Sequence, residues 1–502
     1  MKLLSPYRQK LRQHFPGLLT VAALSTITLA TAKVYGSLGG FPLNAVAAPT
    51  AAIASPIASS SADSMVRLSG LLSQTKLVQS DEGTVYLNLA VEGPAEIGQT
   101  QERAAVDVVV VLDRSGSMAE DQKLPFAKAA IQELINRLQS EDRFALVTFD
   151  DSARTDVVLT PVTAGMKETL HGVVTRIQTG GGTNIGDGLN KAKQLLLESR
   201  DRSELRRARK IVLLSDGQTN VGITDPKVLN GMAKAISDGQ ATVSTVGMGL
   251  GFNESLMASL SDYGMGSYAF LERLDGLDKL FAKDLNDTRS IYAQGSYLDV
   301  KLPAGVELID AGGYPIETIN SDPSMRRVRA GQILRGSKKQ IALTYRVATS
   351  AVGSQILGSV QLNYQADGKE EQLALASEAL TLAVVPVAER AEAVASINQD
   401  LLRSTWSKNN LGIMQKRVQK WIEQGNDSAA KDEIAEYRAK ARAEGGKAGT
   451  ELLDQSAERE LQSMEDGLND AVSAKGAVRD EKLNRYRKQA QSSGYANQLA
   501  GW

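Results

Sequence analysis

From residue 105 to about residue 290 the chain alternates uninterrupted apolar runs with helical patterns, and this alternation limits its fold more than any other feature. Residues 108–112 are apolar at every position and mostly β-branched. A strand without a polar face must be covered on both sides, as in a parallel sheet lying between helices. The stretch that follows repeats Phe126, Ala130, Ile131, Leu134, Ile135 and Leu138 at three- and four-residue spacing, which reads as an amphipathic helix. The same reasoning predicts strands at 144–149, 157–162, 211–214, 241–246 and 268–271. It predicts helices at 166–177, 185–198, 226–236, 254–260 and 274–285. Residues 105–290 are therefore expected to form an α/β domain with a doubly covered, mostly parallel sheet. In such a sheet the binding site lies beyond the carboxyl ends of the strands.

The flanking regions have different characters. Residues 65–104 and 291–387 alternate apolar and polar positions between Gly, Asp and Pro turns, with strands expected at 84–91, 297–302, 340–345, 358–364 and 380–385. A β-sandwich-like domain over 291–387 is the natural reading. If the strands before Val91 complete it, the α/β domain is an insertion. From Ala388 the chain is rich in Ala, Glu, Lys, Arg and Gln and carries three apolar stripes. They are Val394, Ile397 and Leu401; then Leu411, Met414, Val418, Trp421 and Ile422; then Leu453, Ala457, Leu461, Met464, Leu468 and Val472. Gly425 and the Gly445–Gly446 pair are the expected helix stops. Residues 388–502 are thus read as an α-helical region, either a small bundle or a docking surface for a partner.

The amino-terminal 47 residues resemble an export signal or a membrane anchor. Lys2, Arg8, Lys10 and Arg12 precede an uncharged run over 18–32 that stops at Lys33, short of the ~20 residues that cross a bilayer. Small residues at Ala30, Ala32, Ala45 and Ala47 suit a signal peptidase. Residues 48–64, rich in Ala, Ser and Pro, read as a linker. An extracytoplasmic location is expected: periplasmic, secreted or anchored in the cell envelope.

Several classes of chemistry are disfavoured by what the chain lacks. It has no cysteine, which removes disulfides, thiolate nucleophiles and Cys-based zinc sites. Its two histidines are His14 and His171, so a Ser–His–acid triad outside the leader would have to use His171. With 57 Lys plus Arg against 58 Asp plus Glu, no broad positive field is available for nucleic acid.

What remains is a set of oxygen donors. Asp113-Arg-Ser115-Gly-Ser117 ends the first strand of the α/β domain, Gly180-Gly-Gly-Thr183 precedes a helix, and Ser215-Asp216-Gly217 ends the strand that contains Ile211. Three neutral hydroxyls and two carboxylates form an oxygen-only set suited to a hard cation such as Mg²⁺, Mn²⁺ or Ca²⁺. These five residues resemble, position by position, the metal-ion-dependent adhesion site of the von Willebrand factor A family. The likeness covers about a third of the chain. It implies a Rossmann-like α/β fold with Ser115, Ser117 and Thr183 as the inner ligands of a divalent cation, most readily Mg²⁺. Asp113 and Asp216 would act behind them through water. The flanking regions are reminiscent of bacterial exported proteins of the family.

Neutral inner ligands leave most of a dication's charge uncompensated, so the ion seeks an anionic oxygen such as a partner's Asp or Glu. The expected function is metal-dependent protein binding, in adhesion or scaffolding, rather than catalysis. The alternatives are a metal-dependent hydrolase and a chelatase- or chaperone-type subunit of an ATPase complex. Competing signals are weak. The glycine run lacks the Gly-Lys-Ser/Thr ending of a phosphate loop, and the Ser-x-x-Lys matches at Ser73–Lys76 and Ser428–Lys431 have no Lys-Thr-Gly partner. His171 reads as a surface or packing residue, and Asp150 and Asp151 as solvated loop acids. Asp187 stays open, as a helix-dipole partner or a helper of the site.

Overall fold

Strands β1 (Ile57–Ser59), β2 (Arg67–Leu72), β3 (Lys76–Val78) and β4 (Thr84–Glu92) open the described part of the chain. A computed structural model describes residues 57–59, 65–95, 104–198, 207–249, 251–271, 277–319, 321–366 and 368–499. The proposed leader, most of the linker, and residues 272–276 lie outside them. The stretch read as linker contributes β1, which pairs antiparallel with β2 (Ile57 opposite Gly70) and is held by backbone hydrogen bonding at a sheet edge.

The α/β unit follows as β5 (Val106–Asp113), α1 (Lys123–Arg137), β6 (Arg143–Phe149), β7 (Ala153–Pro161), α2 (Ala164–Thr175) and α3 (Ile185–Glu198). It continues with β8 (Ala208–Ser215), α4 (Pro226–Asp238), β9 (Thr242–Met248), α5 (Glu254–Tyr263), β10 (Met265–Leu271) and α6 (Leu277–Arg289). The strand order is β10-β9-β8-β5-β6-β7, parallel except for β7 at the edge. All residues of β5 are buried. Its alternate side chains serve two cores: Val108, Val110 and Leu112 meet α1, α2 and α6, whereas Val109 and Val111 meet α3, α4 and α5. Because connections leave β5 and β8 toward opposite faces, a crevice opens beyond their carboxyl ends.

The opposite edge is fastened by charge. Asp107, fully buried, accepts two hydrogen bonds from Arg143 (2.8 and 2.6 Å) and one from Arg207 (2.7 Å). Asp142 accepts from the Val106 amide (2.9 Å) and pairs with Arg289, so one carboxylate grips both the entry and the exit of the unit.

The chain then returns to strands: β11 (Ile291–Lys301), β12 (Val306–Ala311), β13 (Ile316–Ile319), β14 (Asp322–Leu334), β15 (Lys338–Val347), β16 (Gly353–Ile356), β17 (Ser359–Ala366), β18 (Lys369–Ala374) and β19 (Thr381–Val385). Two five-stranded sheets, β1-β2-β4-β15-β12 and β13-β14-β11-β17-β18, share one core with a smaller sheet, β16-β19-β3. β4 lies between β2 and β15, paired with β15 from Thr84–Arg346 to Glu92–Lys338, and its inward Val85, Leu87, Leu89 and Val91 join Leu298, Val300, Leu343 and Leu362. Strands from both sides of the α/β unit therefore build a single β body.

β14 was not anticipated because Arg326, Arg327 and Arg329 hide its pattern. In the fold Arg327 is bidentate on Asp299 (2.8 Å each) and stacks 3.8 Å over the Tyr297 ring, while Arg329 holds Glu317 (2.9 Å).

Six helices complete the described chain: α7 (Arg390–Ala395), α8 (Gln399–Ser404), α9 (Leu411–Glu423), α10 (Asp427–Ala448), α11 (Gln455–Ser473) and α12 (Ala477–Leu499). Leu411, Met414, Val418, Ile434, Leu461 and Leu468 form their core. The stripe Val394–Ile397–Leu401 is not one helix face. Asn398 interrupts it by capping α8 (2.9 Å from the Leu401 amide), and Ile397 bridges to Gln74. Nor does Gly445–Gly446 stop a helix. α10 runs through the pair and ends at Gly449, whose φ of 66° is the left-handed C-cap, while Gly445 makes room for the returning chain: a Cβ there would lie 2.5 Å from the Thr450 carbonyl oxygen. α12 docks on the α/β unit through Lys488, which donates to Glu254 (2.6 Å) beside Arg487 (3.2 Å) and lies 3.6 Å from the centre of the Phe252 ring.

Two outcomes are expected in urea unfolding. Gly188→Ala should destabilise by about 1–2 kcal/mol, because a Cβ would meet Val111 Cγ1 at 2.9 Å and the Phe149 ring at 3.0 Å, despite the ~1 kcal/mol helix preference of Ala. A midpoint equal to or above the native one would contradict that close packing. Glu254→Ala should cost about 3–5 kcal/mol, since it leaves Lys488 buried without its carboxylate; a change under ~1 kcal/mol would show that the α12 contact carries little of the docking.

Candidate metal centre

β5 delivers Asp113 to the crevice at the end of a strand that has no exposed residue. The carboxylate is fully buried and closes a tight turn: Oδ1 accepts from the Ser115 amide (2.8 Å) and Oδ2 from the Ser215 hydroxyl (2.5 Å). The turn brings the Ser115 and Ser117 hydroxyls to 3.1 Å of one another. Neighbouring β8 delivers Asp216, also fully buried. Its Oδ1 faces the Gln218 amide (3.3 Å), and its Oδ2 accepts from Lys123 Nζ (3.1 Å), which also donates to the Ser117 carbonyl (3.2 Å).

The third loop is stitched to the first by backbone hydrogen bonds, Gly180 N–H to Arg114 O (2.6 Å) and Gly116 N–H to Gly181 O (2.8 Å). It places buried Thr183 before α3, with its amide on Asn220 Oδ1 (2.8 Å) and its carbonyl accepting from the Asn220 and Val221 amides (3.1 and 3.2 Å). Asp113, Ser115, Ser117 and Asp216 are thus linked through Ser215 and Lys123, and Thr183 sits on a loop bonded to both neighbours.

Burial pushes the Asp113 carboxyl up from its ordinary 3.8 to about 6. The Ser115 and Ser215 hydrogen bonds oppose this shift, and the nearby Asp216 charge adds to it. Two buried carboxylates and one buried ammonium leave an anionic excess that a cation relieves. Among the described residues no three His, Cys, Asp or Glu side chains gather as a metal-binding group, and the donors of this centre are hydroxyls and two carboxylates. The donors present fit a hard divalent cation: oxygens only, two charged and three neutral.

The neighbouring acids have structural work. Asp150, expected to be solvated, is buried: it pairs with Arg114, and its carbonyl accepts from the Asn184 amide (2.9 Å). Asp151 is exposed and holds the Gly182 amide (2.9 Å), so both shape the glycine loop. Asp187 accepts from the Ala153 amide (2.7 Å), fastening α3 to the start of β7. His171 hydrogen-bonds Asn136 Oδ1 (2.9 Å) on α1, a surface role. Sequence reasoning missed Lys123 and Ser215. Lys123 carried a readable signal, because with Ala127, Ala130, Ile131 and Leu134 it lies in the buried register of α1, where a charge needs a partner.

Residues 107–283 match the model of the von Willebrand factor type A domain. The uncharacterized protein YfbK of Escherichia coli is 28% identical over 288 residues, covering 56% of this chain, and the chain spans only about half (48%) of YfbK. Human inter-alpha-trypsin inhibitor heavy chain H4 is 33% identical over 172 residues, 34% of this chain and 17% of that protein. Among solved structures, a von Willebrand factor type A protein from Catenulispora acidiphila superimposes with a TM-score of 0.59 at 15% identity, covering 85% of this chain and 97% of that one, a likeness of fold. The α/β unit of this chain is a von Willebrand factor type A domain.

Proposed function

We infer that the chain is an exported, metal-dependent protein-binding module rather than an enzyme. In this reading a divalent cation, Mg²⁺ foremost, is held by Ser115, Ser117 and Thr183, with Asp113 and Asp216 orienting the ligands and waters around it. When bound, such a cation supplies an open coordination position with unspent positive charge, which an Asp or Glu carboxylate of a partner protein fills. The observation that carries the reading is the meeting of two fully buried carboxylates with the paired Ser115 and Ser117 hydroxyls at the carboxyl edge of a parallel sheet. Both carboxylates are engaged by Ser115, Ser215 and Lys123, which leaves neither poised as a general base. The match to the von Willebrand factor type A model and the likeness of the domain to human inter-alpha-trypsin inhibitor heavy chain H4 agree with a protein-binding role. No described helix is long and apolar enough to cross a membrane.

Two measurements test this. Mg²⁺ at a hundredfold excess over its dissociation constant should stabilise the protein by about 2.7 kcal/mol in thermal unfolding, an effect absent in Asp113→Ala and Ser117→Ala. No stabilisation of the native protein by Mg²⁺, Mn²⁺ or Ca²⁺ would remove the metal from the account. Partners captured from an envelope extract in Mg²⁺ should be lost in excess EDTA and with Asp113→Ala, while circular dichroism of the variant stays native. Capture that persists undiminished in EDTA contradicts metal-dependent binding.

A further inference from the structure

We propose that Lys123 is a specificity-determining residue of this centre, a built-in counter-cation that keeps the loaded site net positive and so directs it to carboxylate ligands. The proposal rests on the metal-centre reading above and extends it to the partner's chemistry.

Lys123 is 3% exposed, and its ammonium contacts only oxygen atoms of the centre in the hydrogen bonds it makes, Asp216 Oδ2 at 3.1 Å and Ser117 O at 3.2 Å. The local chain is bent to put it there. The two residues before it, Asp121 (φ 50°) and Gln122 (φ 59°), are both left-handed without being glycine, a strained arrangement that persists only where surrounding contacts enforce it. Its stem is accommodated by Gly249, where a Cβ would lie 2.7 Å from Lys123 Cε. Burial of a cation and local backbone strain thus converge on placing one ammonium against one metal-site carboxylate.

Charge arithmetic gives the consequence. Asp113 and Asp216 contribute two negative charges and Lys123 one positive, leaving one negative; a dication turns this to one positive. Without Lys123 the same dication would be neutralised by the two carboxylates. Such a site would hold its metal more tightly and attract an external carboxylate less, because at short range in a buried setting each charge is weakly screened. Lys123 therefore trades metal affinity for ligand attraction. A merely structural role, positioning Asp216, has the opposite sign: loss of Lys123 would disorder the carboxylate and weaken metal binding.

The test uses the full chain and Mn²⁺ alone, followed by water-proton relaxation, with Lys123→Met and, should that variant fold poorly, Lys123→Gln. Either substitution is expected to tighten Mn²⁺ binding by about tenfold or more. Acetate, added to the Mn²⁺-loaded native protein as a carboxylate probe, should displace coordinated water and lower the relaxation enhancement. The substituted proteins should need about tenfold more acetate for the same drop. Equal or weaker Mn²⁺ binding by the substituted proteins overturns the role of Lys123, as does an unchanged acetate response. Failure of the native protein to bind Mn²⁺ at all overturns the metal-centre reading instead.

Discussion

The structure is organised around a strand that cannot face water. β5 lies between β8 and β6 with helices on both faces, and its Val-rich run serves two separate cores with alternate side chains. A segment so enclosed has a free polar group only where it ends, and this one ends in Asp113. The carboxylate is carried to the crevice by the burial of the residues before it. Everything at the site is arranged around that delivery, from the turn on the Ser115 amide to the contact with Ser215 of the next strand.

Enclosure also decides the electrostatics. Asp113 and Asp216 are withdrawn from water on adjacent strands, and this burial, with the Asp216 charge adding to it, raises the Asp113 carboxyl, while the one ammonium at hand, Lys123, is spent on Asp216. Acids one turn further out are treated differently. Asp150 is matched by Arg114, Asp151 and Asp187 by backbone amides, so their charge is spent on holding loops. The residual charge is concentrated where the hydroxyls are. In that respect the domain separates acids that shape the rim from acids that face its centre.

How much of this could be read in the sequence depended on whether a residue's environment was local. The strands of the α/β unit were legible because 108–112 and 211–214 are apolar at every position, a pattern that only a doubly covered sheet explains. The candidate site was legible as oxygen-bearing residues at strand ends, since Asp-x-Ser-x-Ser follows one such run directly. Residues whose meaning lies in a distant partner were not legible. Arg327 disguised β14 until Asp299 and Tyr297 were beside it, and the partner of Lys123, Asp216, lies 93 positions away. Gly445 read as a stop because its reason, the carbonyl of Thr450, belongs to the returning chain.

The grip of Asp142 on both Val106 and Arg289 has a consequence for how the chain acquires its shape. β4 must find β15 across a separation of roughly 250 residues, a non-local pairing of the kind that slows folding. Once the α/β unit has formed, however, its two ends meet at one carboxylate, and the excursion between the strands shrinks to residues 93–105 and the segment 290–337 that carries β11 to β14. Closing a loop so shortened costs about 1 kcal/mol less in chain entropy. The inserted unit thus acts as a folded clasp that shortens the effective separation of β4 and β15.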